Sequence, residues 1–336
     1  MQTLAAETRP VGDEALLAML CKAAADQLRL RILRLLSRDA MDVSELCEVL
    51  DVRQPALSHH LKLMSNAGLL STQRDGNHIF YRRSEITGND RLSGFQQALF
   101  QAADSLSLNE DALAKSAALQ RKREQKSLDF FRLNAGRFRE QQDLIAAPER
   151  YMATVNTVLE SLPLSSKKLA LEVGPGEGWL LPRLAENFSR VIALDNAPAM
   201  LEAARVHVST TDRNNVEFLN GDTSHASLQG LEADLVVMNM VLHHTPDPAR
   251  TLKEAVASLA PTGLLLLTEL CEHTQGWTRE NCGDIWLGFT PQQIEAWTGS
   301  AGLKEISSSY LGQRNGFKLQ VRLFGAPAHI VFSVQG

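Results

Sequence analysis

The sequence predicts two domains of different class. The first is a small α+β unit in which helices precede a β-hairpin, and the second is a larger α/β unit built on a mostly parallel sheet. Three observations carry this. The 336 residues exceed one typical domain and suit two. Between Leu28 and Arg83, helical segments joined by a short turn lead into two short β-prone runs. From Leu169 onward, apolar runs alternate with helix-compatible segments, the rhythm of a parallel sheet.

Composition narrows the function classes. Hydrophobic residues make up 44% of the chain, enough for substantial cores, and the net charge of −5 gives no global attraction to nucleic acid, so any such site is local. Cys21, Cys47, Cys271 and Cys282 form no C-x-x-C pair, which favours a reducing compartment. The N-terminal residues are polar and acidic where a signal peptide has an apolar core. The apolar run Gly263–Leu267 is far too short to cross a bilayer. The chain therefore reads as soluble and cytoplasmic, with no membrane partner.

Taken in order, residues 1–12 read as a loose leader. Glu14 to Ser37 is helical in composition, with a break near Asp26. Within it Leu28, Ile32, Leu35 and Leu36 fall on one face and the arginines opposite. Asp42 or Ser44 starts the next helix, which runs to Leu50. After Asp51-Val-Arg, the segment Gln54–Ala67 forms a second helix. Pro55 sits in its first turn, Leu57, Leu61 and Met64 form its apolar stripe, and Gly68 ends it. Residues 69–74 and 79–83 read as strands around the turn signal Asp75-Gly76. Helix, turn, helix and hairpin make a winged helix-turn-helix.

The quoted pieces L-R-L-R-I-L-R-L-L, S-E-L-C, Q-P-A-L-S-H-H-L-K, A-G-L-L and D-G-N-H-I-F-Y-R resemble the ArsR-type bacterial repressors across Leu28–Arg83. In such folds the second helix enters the major groove of double-stranded operator DNA. Its outward residues are Arg53, Gln54, Ser58, His59 and Lys62. Glutamine reads adenine, Ser and His meet bases or phosphates, and Lys neutralises phosphate. Arg74, Arg82 and Arg83 on the wing suit the minor groove or the backbone, whereas Leu57, Leu61 and Leu63 read as core. The resemblance implies a homodimer held by terminal helices, with Glu14–Lys22 and Arg91–Ser105 as candidates. Metal-sensing members carry S-E-L-C-x-C; here Cys47 matches the first cysteine and Val49 replaces the second, which argues against a thiolate metal site.

Residues 89–163 read as a mostly helical linker, dimerisation and lid segment. Phe95, Leu99 and Leu106 suggest one apolar stripe. The basic run Arg121–Lys126 reads as a solvated helix face or an extra phosphate contact.

Leu169-Ala-Leu-Glu-Val-Gly-Pro-Gly-Glu-Gly178 then runs from an apolar strand carrying Glu172 into glycines on alternate positions, Gly174, Gly176 and Gly178. Strand, glycine turn and helix let a backbone approach a nucleotide closely. A second strand, Val191–Leu194, ends in Asp195, an acid placed to take both ribose hydroxyls of an adenosine. The dinucleotide fingerprint G-x-G-x-x-G fails, because Trp179 stands where its last glycine belongs and a large ring there would crowd helix against strand.

The pattern E-x-G-x-G-x-G resembles the first motif of Rossmann-like S-adenosylmethionine (SAM) methyltransferases, matched by Glu172, Gly174, Gly176 and Gly178, with Asp195 as the ribose acid and Asn196 beside it. Asn220-Gly-Asp-Thr223 follows strand three, and the resemblance implies that Asp222 bonds the adenine amino group with Thr223 adjacent. Strand four ends at Asn239 and runs into V-L-H-H-x-x-D, which resembles quinone-biosynthesis-type and related small-molecule methyltransferases. Ser127–Leu162 resembles the helical lead-in of that family, where Phe130, Phe131, Phe138 and Tyr151 cover the cofactor or pack the core.

Strands near 169–173, 191–194, 216–219, 234–238, 263–269, 303–308 and 318–324 give a seven-stranded sheet whose last strands form an antiparallel hairpin. The domains are thus a winged helix-turn-helix at 13–88, the helical segment at 89–163 and a SAM-binding α/β domain at 164–336. SAM or S-adenosylhomocysteine (SAH) is the expected cofactor. Methyl transfer needs alignment more than acid–base help, and a base only where the acceptor must lose a proton. His243 and His244 stand where that base would be; alternatively one caps the following helix and the other packs. Glu269 also falls near the pocket. Cys271, His273 and Cys282 match no tetrahedral zinc spacing, and no metal is expected. Three functions stay open. One is a regulator whose effector is SAM or SAH, another a small-molecule methyltransferase with a regulatory DNA-binding domain, and the third a self-regulating enzyme whose small-molecule substrate is the inducer. The operator, the acceptor and the sign of regulation are not legible.

Overall fold

A computed structural model describes residues 13–37, 40–75, 78–84, 86, 91–134, 138–211 and 213–327. The leader, Gly76 of the expected hairpin turn and the side chain of Phe138 lie outside the described residues. The chain divides into two compact units at Leu119/Gln120.

The first unit runs α1 (Asp13–Ala24), α2 (Gln27–Leu35), β1 (Met41–Asp42), α3 (Val43–Leu50), α4 (Gln54–Asn66), β2 (Leu70–Asp75), β3 (His78–Arg83) and α5 (Arg91–Asp104). The break near Asp26 is real: Asp26 is the N-cap of α2 and accepts from Arg29 N. Asp42 starts α3 with a reciprocal capping box to Glu45. Gly68 follows α4 with φ +74, the left-handed residue that stops the helix. Ile32, Leu33, Leu46, Leu57, Leu61 and Met64 are buried together in one core. β2 and β3 pair antiparallel as the wing. The two-residue β1 adds a third strand against β3, an element too short for periodicity to reveal.

One expectation fails here. Arg29 does not lie opposite the apolar face. It is buried, and its guanidinium donates to Ala23 O at 2.7 Å and Lys22 O at 3.0 Å. These are carbonyls at the end of α1, where a cation is favourable.

Helices α6 (Glu110–Asn134), α7 (Phe138–Ala146) and α8 (Pro148–Glu160) follow, and the division between units falls within α6. The second unit then continues β4 (Leu169–Val173), α9 (Leu181–Asn187), β5 (Arg190–Asp195), α10 (Pro198–Ser209), β6 (Val216–Asn220), β7 (Ala233–Asn239), α11 (Pro248–Val256), β8 (Leu259–Leu270), α12 (Thr278–Asn281), α13 (Pro291–Ser300), β9 (Lys304–Gly312) and β10 (Lys318–Gly325). The strands form one seven-stranded sheet in the order β6-β5-β4-β7-β8-β10-β9. It is parallel from β6 to β8, and β10 runs antiparallel to both its neighbours. The α/β fold with a terminal hairpin is therefore as the sequence predicts. The buried Asp234 pins the start of β4 to β7, its Oδ2 accepting Lys168 N at 2.7 Å and Leu169 N at 3.0 Å. Among the described residues no helix is long and apolar enough to cross a membrane.

Asp42 also accepts a hydrogen bond from His78 Nδ1 at 2.9 Å, so it ties α3 to the wing as well as capping it. Loss of an N-cap costs about 0.5–2 kcal/mol. Asp42→Ala should lower hydrogen-exchange protection of the α3 amides by roughly 2- to 30-fold. Unchanged protection would mean that the cap does not hold the helix.

Candidate functional site

The carboxyl ends of β4, β5 and β7 open on a cavity of about 360 Å³, the place where parallel α/β sheets bind ligands. Register brings these ends level: Val173 lies opposite Leu194 on one side and Met238 on the other. The loop after β4 must therefore pass very close to the loop after β7. Gly174 makes this possible. Its φ is +66, and a Cβ there would stand 2.3 Å from Val241 Cγ2. Gly178, at φ +80, serves packing instead, since a Cβ would lie 3.0 Å from Ala204 Cα on α10. Gly174 and Gly176 line the cavity and Gly178 does not. Trp179, 38% exposed, lies at the cavity with its ring packed on His207 of α10 at 4.5 Å, and donates from Nε1 to Glu177 Oε2 at 3.1 Å. The ring that would crowd a dinucleotide-type turn is thus kept out of it.

Asp195, Asn196, Asp222, Thr223 and Asn239 all line the cavity. Asp195 Oδ1 accepts Ala197 N at 2.8 Å. Burial pushes its carboxyl up to about 6, although the neighbouring backbone N–H groups pull the other way. Asp222 Oδ1 accepts both Ser224 N at 2.9 Å and Ser224 Oγ at 2.6 Å, which fixes its rotamer at the rim. Thr223 lines the cavity with its hydroxyl already engaged. Its hydroxyl is donated to Glu254 Oε2 at 2.5 Å, so its side chain braces the wall rather than offering a donor to a ligand.

Glu172 departs from expectation, because it is not a wall residue. It lies within β4 between β5 and β7, 1% exposed, and its Oε2 has no hydrogen-bond partner. Burial raises its carboxyl to about 8. Asn239 Oδ1 and Thr268 Oγ1 are likewise buried without a partner. Tyr151 and Phe131 do line the cavity, and burial pushes the Tyr151 phenol up to about 12.

The two histidines separate into different roles. His244 lines the cavity; His243 is fully buried behind it. Neither caps α11, because Asp247 does so by accepting Arg250 N at 3.1 Å. His243 Nδ1 sits 2.5 Å from Glu269 Oε1. Burial disfavours its cationic form, but the charge and hydrogen bond of Glu269, with Asp284 beyond, outweigh this and raise its pKa. Glu269 therefore faces His243 inside the protein and not the cavity, which corrects its expected place. His244 Nδ1 is 3.2 Å from Gly283 O and its Nε2 is 3.4 Å from Gln142 Nε2. Burial, then the His243 charge, hold its pKa well below the ordinary value, so it is a neutral imidazole at pH 7. Asp284 was invisible to sequence reading, since nothing local marks a loop acid that meets histidines from another loop.

In the first unit, Arg53 is exposed at the N-cap of α4, Gln54, Ser58, His59 and Lys62 are exposed on α4, and Arg74 is exposed on β2. Arg82 is half-buried. Arg83 is not a wing contact. Its guanidinium donates to Leu33 O at 2.7 Å and Asp104 Oδ1 at 2.8 Å, and stacks over Phe100. It clamps β3 to α2 and α5, and burial lowers its pKa despite Asp104.

The folded pKa of Glu172 lies above its unfolded value of 4.5. Its stabilising contribution is therefore complete below pH 4.5 and lost as pH rises through about 8. Asp195 has the same sign over a lower window, from 3.8 to about 6. Thermal unfolding of the unliganded protein should thus show Tm falling from pH 6 to pH 8, and Glu172→Gln should flatten that fall. Equal slopes for both proteins would mean that Glu172 is already ionised at pH 6.

Comparison with known proteins accords with both halves. Residues 26–72 match the family described as bacterial regulatory protein, arsR family, and residues 171–267 match the methyltransferase domain family. A biofilm growth-associated repressor of Agrobacterium fabrum is 36% identical over 83 residues, 25% of this chain and 68% of the repressor. A ubiquinone biosynthesis O-methyltransferase of Serratia proteamaculans is 27% identical over 139 residues, 41% of this chain. The chain spans only 58% of that enzyme's length. Among solved structures, the N-methyltransferase NodS of Bradyrhizobium japonicum in complex with SAH has 21% identity and a TM-score of 0.43, over 54% of this chain and 87% of that one. The chain belongs to the arsR family of bacterial regulatory proteins through its first unit and carries a methyltransferase domain of Rossmann-like fold as its second.

Proposed function

We propose that this chain is a DNA-binding transcriptional regulator whose methyltransferase domain takes SAM or SAH as its effector. The observation that carries the reading is the cavity at the carboxyl ends of β4, β5 and β7, where Gly174, Gly176 and Asp195 converge, in a chain that also presents an arsR-type α4. The wall fits the ligand group by group. The glycine turn admits a backbone-hugging moiety, Asp195 faces ribose hydroxyls, Asp222 at the rim suits an amino group on adenine, and the unpaired Asn239 Oδ1 suits a ligand ammonium. On the DNA side, Arg53, Gln54, Ser58, His59 and Lys62 enter the major groove and Arg74 meets the backbone. The exposed Leu17 and Met19 on α1 support a homodimer, which would read two half-sites about one helical turn apart.

A second reading rests on His244. A neutral imidazole at the wall, oriented by Gly283 O, is suited to accept a proton from a small-molecule acceptor. The chain would then be a methyltransferase whose DNA-binding unit regulates it or its gene.

One experiment separates them. DNA from upstream of its own gene is titrated with the protein in the presence of SAM or SAH, and methyl turnover is followed in the same tubes. An effector should shift DNA affinity by about 5- to 150-fold, the usual range of such coupling. Turnover with a candidate acceptor and no shift would reverse the order of the two readings.

The assigned contacts have their own tests. Asp195→Ala should weaken SAH binding about 10- to 100-fold, the loss of hydrogen bonds to a charged acceptor, with the fold retained. Unchanged calorimetric affinity would remove Asp195 from the ribose site. Lys62→Ala should reduce the slope of log affinity against log salt by about one. Arg83→Ala should instead lower stability while leaving that slope as in the wild type.

A further inference from the structure

Behind the cavity wall, His243 and His244 from the loop after β7 meet Asp284 from the loop after α12. His243 Nε2 and His244 Nδ1 each lie 3.9 Å from Asp284 Oδ1, and one donor atom from each residue falls within 4.8 Å of the others. All three side chains are buried. His243 Nε2 has no hydrogen-bond partner among the described residues, and the Asp284 carboxylate, with the Thr278 side chain nearby, makes no hydrogen bond of ordinary geometry. Buried polar atoms are ordinarily paired, and a buried carboxylate without a partner is among the costliest. Orphans on facing residues, aimed at one point, indicate something between them.

The surroundings say what kind of group fits. Glu269 Oε1 holds His243 Nδ1 at 2.5 Å, which keeps a proton on Nδ1, so that when Nε2 gives up its proton to a metal ion its lone pair faces Asp284. A carboxylate on the far nitrogen is the outer support that metal-binding imidazoles use to fix ring and tautomer. We propose that His243 Nε2, His244 Nδ1 and Asp284 form a buried site for a divalent first-row transition metal ion of the zinc or iron(II) kind. Two imidazoles with one carboxylate suit these ions, whereas calcium and magnesium favour all-oxygen sets.

The geometry requires a contraction. Donors held at about 2.0–2.1 Å in a tetrahedron stand about 3.3 Å apart, so the two His–Asp pairs at 3.9 Å must close by roughly half an ångström and the widest pair, within 4.8 Å, by up to about 1.5 Å. His244 must change tautomer, because its Nδ1 now faces Gly283 O at 3.2 Å. The proton moves to Nε2, where Gln142 lies at 3.4 Å and can turn its amide oxygen to accept it. Gly283 O is then released beside the ion as a further oxygen donor. The ion's role is positional. It fixes His244 in the cavity wall and locks the loop whose Ile285 N and Trp286 N both donate to His243 O. With its Nε2 protonated, His244 accepts no proton from a ligand, so ion binding and the general-base reading of His244 exclude one another.

The test uses the full chain without a histidine tag, stripped by a chelator and titrated with Co²⁺. One Co²⁺ per chain should bind, with visible ligand-field bands, and Zn²⁺ should displace it. Asp284→Asn should abolish the bands, and Glu269→Gln should weaken binding about 10- to 100-fold through the outer support alone. No stoichiometric binding below about 100 µM by the wild-type chain, where a dedicated site binds far more tightly, would overturn the proposal. So would unchanged Co²⁺ binding by a folded Asp284→Asn protein. If that variant does not fold, the wild-type stoichiometry and spectrum decide the matter. SAH calorimetry on the stripped protein reads the cofactor site separately, so failure of either site leaves the other measurable.

Discussion

The parallel pairing of β4 between β5 and β7 is the constraint from which the rest of the second unit follows. It sets the strand ends level, so the turns leaving them compete for the same space. That crowding is relieved by backbone conformations most residues avoid. Gly174, Gly176 and Gly178 all have positive φ, and so does Met240 on the facing loop at φ +55. A non-glycine residue held there costs on the order of 1 kcal/mol or more, and such strain persists only where surrounding contacts impose it. Met240 is imposed by its N–H to Thr268 O at 2.8 Å, which continues the β7–β8 ladder past the end of β7. Strain on one loop and glycine on the other are two answers to one packing problem, and the cavity is what lies above them.

The same crowding concentrates carboxylates where water is scarce. Glu172, Asp195 and Glu269 lie near the carboxyl ends of β4, β5 and β8, and each is handled differently. Asp195 keeps an N–H from Ala197 and an opening to the cavity. Glu269 has an imidazole and the N–H of Leu270 at 2.6 Å. Glu172 has neither, and burial alone pushes it toward the neutral form. A neutral Glu172 is the cheaper unliganded state; a cation brought nearby would favour its ionised form.

Strand positions and the glycine turn were legible because each is a local signal. Apolar runs bounded by turns locate strands, and alternate glycines before a helix mark a close backbone approach. The failures were long-range. Arg29 and Arg83 were assigned outward because charged residues on an amphipathic pattern usually are. Their stems instead cross the core edge to reach carbonyls of α1 and α2 that no sequence window contains. Thr223 is placed at the cavity by its motif, but the partner of its hydroxyl, Glu254, lies on α11. The histidine pair was found by motif, yet its division into a wall residue and a buried one depends on Glu269 and Asp284 from two later loops. Motif position predicts which residues gather at the strand ends; it does not predict which way each side chain turns.

The two readings of the second unit are linked more tightly than a choice between enzyme and sensor suggests. An effector changes DNA affinity only by as much as its own affinity differs between the DNA-bound and free states, and DNA must change effector affinity by the same factor. On the proposed reading the ligand is SAM or SAH, which differ by a methyl group and a positive charge, and the cavity wall carries the unpaired Asn239 Oδ1 and the Asp195 carboxyl, raised to about 6. Such a wall would distinguish a cationic ligand from a neutral one through electrostatics. If the two forms differ in their coupling to DNA, each methyl transfer exchanges one effector for the other within the same cavity. Residual turnover would then set the dwell time of the signal, and a weak enzyme would be the better switch.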